Sequence, residues 1–257
     1  MTSYPVFKEQ LPPVSTDAGP YEIRFAQDDE DLDQILRLRF EIFNLELGEG
    51  LAASYETERD QDEFDAGCHH LMVIDRRSQV LAGSYRMQTG DMARDHLGYY
   101  SATEFDFTAM PQVVLDDAIE IGRACVAESH RNTHTLFSLW RGLALYVAHN
   151  RKRFLFGCSS LTSQRPDEGH ELWRQLEQAG HIHSELMIQP LAEFDCSRES
   201  TDEPVSVSLP SLFRIYLRYG AKVCGGPAID RRFRTIDYLM LFDIEAMDEK
   251  TYKMFFR

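Results

Sequence analysis

Ile119–Ala127 (IEIGRACVA), Thr135–Asn150 (TLFSLWRGLALYVAHN) and Phe154–Ser160 (FLFGCSS) follow one another with only short polar joints between them. The first reads as a strand, the second is apolar at helical spacing, and the third is a short buried strand. With the elements on either side, this succession of strands and helices predicts a mixed α/β sheet. Upstream, Tyr21–Gln27 alternates like a strand. Asp28 to Asp31 then supply acidic caps for a helix to about Leu47, with Leu32, Ile35, Leu36, Phe40 and Phe43 at helical spacing, ended by Gly48 and Gly50. The acidic stretch from Glu56 to Asp65 reads as an ordered loop. Two strands follow, His70–Asp75 and Val80–Met87, joined by Arg76-Arg77-Ser78-Gln79. Downstream come helices near Pro166–Ala179 and Leu209–Tyr219 and a final strand, Asp237–Asp243. The expected class is α/β (α+β): one domain over residues 21–257, with a C-terminal elaboration or added lobe at about 165–257. Residues 1–20, rich in proline and small polar residues, read as a flexible leader or an arm over the surface.

Composition narrows the function. Of 257 residues, 43% are hydrophobic and 27% charged, which is globular. No apolar run reaches the roughly 18–20 residues of a membrane helix, and the first residues lack the pattern of a secretory signal. Five cysteines without a CxxC pair are expected to be reduced thiols in the cytoplasm. A net charge of −15 disfavours nucleic acid and bulk anionic membrane as partners. Arg151-Lys152-Arg153, with Arg131 and Arg141 upstream, forms a local basic exception.

Polar residues in apolar surroundings carry the chemistry. Arg39 and Phe43 share a face of the first helix. Asp62 and Asp65 lie three apart in the acidic loop, Arg86 ends a strand, and Glu120 and Arg123 interrupt another. Charges buried in strands cost several kcal/mol unless paired. Three arginines and three acids therefore predict one mutually neutralising cluster, which forms either an active-site wall or a salt-bridge network tying the loop to the sheet. In a regular strand an offset of three puts Glu120 and Arg123 on opposite faces. Gly122 between them invites a bulge that turns both to one side and frees a backbone N–H for an oxyanion.

The run Arg39-xxx-Phe43, Asp62-xx-Asp65, Arg86, Glu120-xx-Arg123 resembles the signature of acyl-homoserine-lactone autoinducer synthases. The surrounding sequence is more similar to ornithine-lipid N-acyltransferases and long-chain N-acyl amino acid synthases, at EIGRACVAESHRN (Glu120–Asn132), LWRGLALYV (Leu139–Val147), FLFGCSSL (Phe154–Leu161) and YLRYGAKVCGGPAIDRRFRTIDYLMLFDI (Tyr216–Ile244). The resemblance covers roughly Tyr21 to Ile244. It implies a GNAT fold with a C-terminal extension and a 4′-phosphopantetheine-linked acyl thioester on acyl carrier protein as donor, with no permanently bound cofactor and no metal. The implied reaction is direct attack by the α-amine of an amino acid, ornithine foremost, giving a long-chain N-acyl product, 3-hydroxylated or not. Glu120 would take the amine's proton, Arg123 and Arg86 would order the acidic site and the acceptor carboxylate, and Asp62 and Asp65 would sit near the amine. Arg39 and Phe43 complete the acceptor wall. Ala124, Cys125 and Val126 on the strand, with Arg131 and Asn132 at the next helix start, would face the donor. Arg141, Arg151, Lys152 and Arg153 would meet the acidic carrier protein. The segment Arg131-Asn132-Thr133-His134-Thr135 lacks the glycines that usually cradle a coenzyme A pyrophosphate, which suits a carrier protein. An amphiphilic product implies transient contact with the inner membrane. The alternatives are an autoinducer synthase using S-adenosylmethionine and a catalytically silent acyl-carrier or lipid-binding protein.

Competing motifs are weaker. His70 and Asp75 match an HxxxxD pattern, but an offset of five in a strand separates their side chains. His69-His70 and His181-Ile-His183 lack zinc-site spacing. Cys125 and Cys158 have no evident base and read as small buried hydrophobes. Gly225-Gly226-Pro227 reads as a turn, and the apolar residues of Leu212–Tyr219 read as core or as the lining an acyl chain needs.

Overall fold

In the computed structural model, which describes residues 4–13, 16–196 and 205–256, eight strands form one sheet. They are β1 (Thr16–Ala18), β2 (Tyr21–Phe25), β3 (His69–Asp75), β4 (Leu81–Thr89), β5 (Ala118–Val126), β6 (Phe154–Leu161), β7 (Lys222–Asp230) and β8 (Thr235–Asp243). Their order is β1-β2-β3-β4-β5-β6-β8-β7. Neighbours are antiparallel except β5 and β6, which the helix between them makes parallel. The sheet is therefore mixed, as expected.

Helix α1 (Asp29–Arg39) starts where Asp28 accepts hydrogen bonds from the backbone N–H groups of Glu30 and Asp31. It runs on as a π-helical stretch, Phe40–Glu46, so the predicted helix has a widened last turn. Short helices α2 (Ser54–Thr57), α3 (Gly90–Asp95) and α4 (Gln112–Asp116) lie in the connections. The long helix α5 (Thr133–Asn150) crosses from β5 to β6, and α6 (Pro166–Gln178), α7 (Ser211–Arg218) and α8 (Glu249–Phe256) complete the set.

Burial in β3 alternates between two cores. Leu71 and Val73 join the cluster of Leu139, Leu143 and Val147 from α5. Met72 and Ile74 join Ile35 and Leu38 from α1 on the opposite face. The strand is apolar throughout because both its faces are covered. Gly142 lets α5 settle close, since a Cβ there would lie 2.5 Å from Leu71 Cδ1.

Two expectations need correction. The C-terminal elaboration does not stand apart as a lobe: β8 pairs with β6 at eight positions, from Phe154↔Asp243 to Leu161↔Ile236. Gly225-Gly226-Pro227 is not a connecting turn but the middle of β7, which shifts register at Val223/Gly225 and Gly225/Ala228. Proline is tolerated there because β7 is the edge strand. The described part of the leader also packs down. Leu11 is buried, Tyr4 Oη meets His70 Nδ1 at 2.8 Å, and Asn150 donates to the Gln10 carbonyl at 2.9 Å. Among the described residues no helix is long and apolar enough to cross a membrane.

Candidate active site

The site begins with an irregularity in β5. Ser84 pairs with Cys125 and Arg86 with Gly122, so Tyr85 faces two residues, Arg123 and Ala124. This is a β-bulge. Its left-handed residue is Arg123, at φ 48°, and not Gly122, where an added Cβ would meet nothing within 4 Å. A positive φ costs an arginine on the order of 1 kcal/mol. The Arg123 guanidinium recovers it by lying 4.2 Å from the Phe43 ring centroid and 4.8 Å from that of Phe233, and by pairing with Asp60.

Around this kink the charges close into a web. Arg39, completely buried, donates from Nε to Asp60 at 2.9 Å and from Nη1 to Asp65 at 2.5 Å. Arg86 binds Asp62 at 2.6 and 2.7 Å and Asp65 at 3.1 Å. Asp65 also accepts the backbone N–H of Asp62, tying the loop onto itself. Burial alone would raise Asp65, but Arg39, Arg86 and the bond to His70 overcome it and hold the carboxyl well below its usual range. Burial likewise opposes the ionisation of Asp60, and Arg123 and Arg39 win there too. The web thus holds three arginines and three aspartates. The third acid is Asp60, not Glu120 as the sequence suggested.

Glu120 sits just outside, with no ion pair among the described residues. Its carboxylate accepts the backbone N–H groups of Tyr100 at 2.8 Å and Ser101 at 2.6 Å, the start of a 3₁₀ turn, Tyr100–Thr103. Burial raises its pKa; the Ser101 and Tyr100 bonds and the field of Arg86 hold back part of the rise. Glu120, Arg123, Arg86 and Phe43 all border one cavity of about 330 Å³. The same cavity is also lined by the apolar side chains of Trp140, Leu212, Phe213, Tyr216, Met240 and Phe242. The α7 residues predicted to be core or chain lining do line this space.

Beside the cavity the sheet opens. β5 and β6 pair only from Ala118↔Phe154 to Glu120↔Phe156, although both strands continue. Gly157 begins the divergence, and a Cβ there would fall 2.0 Å from the Ile121 carbonyl oxygen. Beyond it the β5 edge facing β6 has no strand partner among the described residues.

A model described as an acetyltransferase (GNAT) domain matches residues 38–141. An L-ornithine N(alpha)-acyltransferase of Rhodobacter capsulatus is 31% identical over 243 residues, which is 90% of this chain and 92% of that protein. The chain belongs to the L-ornithine N(alpha)-acyltransferase family. The family member of Brucella abortus is 29% identical over 90% of this chain and 87% of its own length. The crystal structure of the AHL synthase LasI aligns at a TM-score of 0.49 with 12% identity, covering 92% of this chain and 94% of that one. The protein is an acyltransferase with a GNAT-like fold.

Within this family member, the residues expected to face the donor do not converge as one surface. Ala124 borders the cavity, but Cys125 is buried on the α1 side, its thiol pushed up to about 12 by burial. Val126 packs on the α5 core. Asn132 caps α5, accepting from the N–H groups of His134 at 2.9 Å and Thr135 at 3.0 Å. Arg131 is paired in a fork with Glu46 at 2.6 and 2.5 Å. The basic run lies at the other end of α5, about 27 Å away over 18 residues. There Arg153 grips Asp243 at 2.8 and 2.6 Å, Lys152 Nζ donates to the Asp116 carbonyl at 2.5 Å, and Arg151 is the exposed residue that ends the helix at φ 53°. Arg141, midway, donates to the Phe255 carbonyl.

The histidine motifs also separate. His70 bonds Asp65 and Tyr4, while Asp75 caps the turn at Arg77 and Ser78. His69 lies between Tyr146 Oη and the Val6 carbonyl, each at 2.7 Å. Cys158 does border the cavity, but burial holds its thiol protonated. Sequence reasoning missed Asp60 and a second group of acids, Glu104, Asp230 and Asp237, whose carboxylate oxygens lie within 4.8 Å of one another. Asp60 was one acid among many in a charged loop. Asp237 was findable, because it stands in an apolar strand just as Glu120 does.

Proposed function

We propose that this protein moves a long-chain fatty acyl group from the pantetheine thioester of acyl carrier protein to the α-amine of ornithine, giving a lyso-ornithine lipid. The observation that carries the reading is Glu120, buried and backbone-held, in a single cavity lined by both charged and apolar side chains. The relatives' names support ornithine as acceptor. The apolar lining of Trp140, Phe213 and Phe242 suits an acyl chain, 3-hydroxylated or not. The unpaired β5 edge suits the amide-bearing pantetheine arm, which would bind as an added strand.

In this reaction the acceptor enters as an ammonium. Glu120 takes its proton, directly or through water, and the free amine nitrogen attacks the thioester carbon. The carbonyl oxygen becomes an oxyanion beside the bulge, where a backbone N–H stabilises it. As the carbon–sulfur bond breaks, the sulfur leaves and takes up the proton shed by the new amide nitrogen. The raised pKa of Glu120 moves it toward that of the amine and improves it as a base. Arg86 and Arg123, which border the cavity, would receive the acceptor's carboxylate, and the fully buried Arg39 would be a positioning residue. The exposed Arg151 end of α5 contributes to carrier docking. The enzyme works in the cytoplasm, with its amphiphilic product drawing it transiently to the inner membrane.

Incubation with long-chain acyl carrier protein and a panel of amino acids, read by mass spectrometry, tests this. An N-acylornithine is expected. A lactone, or no acylated product, overturns the reading. Glu120→Gln should lower turnover at least tenfold with an unchanged melting temperature, and an unaltered rate removes Glu120 from its role.

A further inference from the structure

The web around Arg39 sets each acid against a cation; the second acidic group has no cationic partner among the described residues. Glu104 closes the 3₁₀ turn Tyr100–Thr103, Asp230 ends β7, and Asp237 stands in β8. All three are nearly inaccessible, at 1%, 3% and 3%. Asp230 has a structural task, accepting the N–H groups of Arg232 at 2.6 Å and Phe233 at 2.9 Å. The other two are incompletely satisfied. Asp237 Oδ2 accepts from Thr235 Oγ1 at 2.9 Å, but its Oδ1 has no partner. Glu104 Oε2 meets the Cys158 thiol at 3.7 Å and the carboxyl lies near the Tyr100 hydroxyl, while its Oε1 has no close partner. Among the described residues no arginine, lysine or histidine pairs with any of the three.

Buried carboxylates without a cation cost several kcal/mol, so a site that keeps two of them, each with an unpartnered oxygen, suits a positive ligand. Glu104 and Asp237 border the same cavity as Glu120. The connection is short: Ser101 N–H holds Glu120, and three residues later the same turn presents Glu104. Three residues of 3₁₀ helix rise about 6 Å, which is the scale of an extended three-carbon side chain.

We propose that Glu104, Asp237 and Asp230 seat the side-chain ammonium of the acceptor, so that the site selects a diamino acid by its second positive charge. The inference rests on the transferase reading above and names what that site measures. The α-amine lies at Glu120, the carboxylate at the arginines, and the distal ammonium in the acidic seat. A buried seat of this kind rejects an uncharged analogue strongly, because its carboxylates would stay unpaired.

The test compares ornithine with norvaline, which has the same carbon chain without the distal amine, and with citrulline. With the full chain and long-chain acyl carrier protein, kcat/KM should favour ornithine over norvaline by at least a hundredfold. Glu104→Gln and Asp237→Asn should each raise the KM for ornithine tenfold or more and collapse that ratio toward one. Equal use of norvaline by the unaltered protein overturns the proposal and leaves the transferase reading intact. So does a ratio that survives both substitutions. If neither amino acid is acylated, the transferase reading fails first, and calorimetric binding of ornithine against norvaline still decides the seat. Calorimetry with Mg²⁺, Ca²⁺ or Mn²⁺ alone supplies the last arm. Tight metal binding that Glu104→Gln abolishes overturns the ammonium assignment in favour of a metal.

Discussion

Two buried groups of acids reach the same cavity, one through its partners Arg86 and Arg123 and the other through Glu104 and Asp237, and they are balanced in opposite ways. In the web, Asp60, Asp62 and Asp65 meet Arg39, Arg86 and Arg123, and Asp60 and Asp65 are held ionised. In the acidic seat, Glu104, Asp230 and Asp237 meet only each other and a few hydroxyl, thiol and backbone groups. Burial is the first cause in both. Where cations oppose it, Asp65 falls below its usual range; where neighbouring carboxylates add to it, Glu104 rises well above and Asp237 reaches about 7. Neutral webs hold a fold together, whereas unbalanced ones wait for something.

That contrast can be broken most forcefully at Glu120, which belongs to neither group. Glu120→Gln should cost about a hundred- to ten-thousandfold in turnover, the range of general-base catalysis, with little change in stability. Next comes the web itself. Arg39→Met leaves Asp60 and Asp65 short of a cation and should destabilise the protein by about 3–5 kcal/mol in denaturant titration; a loss below about 1 kcal/mol would show that the web is not what holds the acidic loop.

The seat should respond with the opposite sign. Asp237 has a folded pKa near 7, above its unfolded value, so its stabilising share is complete at low pH and is lost as pH rises toward and through 7. Asp237→Asn should therefore melt close to the unaltered protein at pH 4 and above it at pH 8, by the equivalent of a few kcal/mol. A difference that shrinks with rising pH would end the distinction between the two groups. The smallest effect belongs to the surface. Arg153 and Asp243 are 40% and 26% exposed, so Arg153→Gln should change stability by no more than about 1 kcal/mol.

Much of the fold was legible. The strand–helix–strand run at Ile119–Ser160 matches β5, α5 and β6 to within a residue or two, because apolar periodicity is local and strong there. β7 was not, since Gly225-Gly226-Pro227 obeys turn rules and only its place at the sheet edge makes it a strand. At the site, Arg39, Asp62, Asp65, Arg86, Glu120 and Arg123 could all be named in advance, but not who pairs with whom. Asp60 could not be told from Glu56, Glu58 or Glu63, because all four stand in one acidic loop and only the folded path makes Asp60 inaccessible.

The amino-acid order alone determined the kinds and succession of elements, the bulged strand, the polar residues that had to be neutralised, and the family. These follow from spacing, local propensity and the cost of burying charge, all of which act over a few residues. The tertiary structure decided that the left-handed residue is Arg123, that Asp60 completes the web, that Glu120 is held by backbone instead of a cation, and that three distant carboxylates share one unbalanced seat. Those are matters of which segments meet. Residues as far apart as Glu104 and Asp237 acquire a common environment only when β8 takes its place in the sheet against β6.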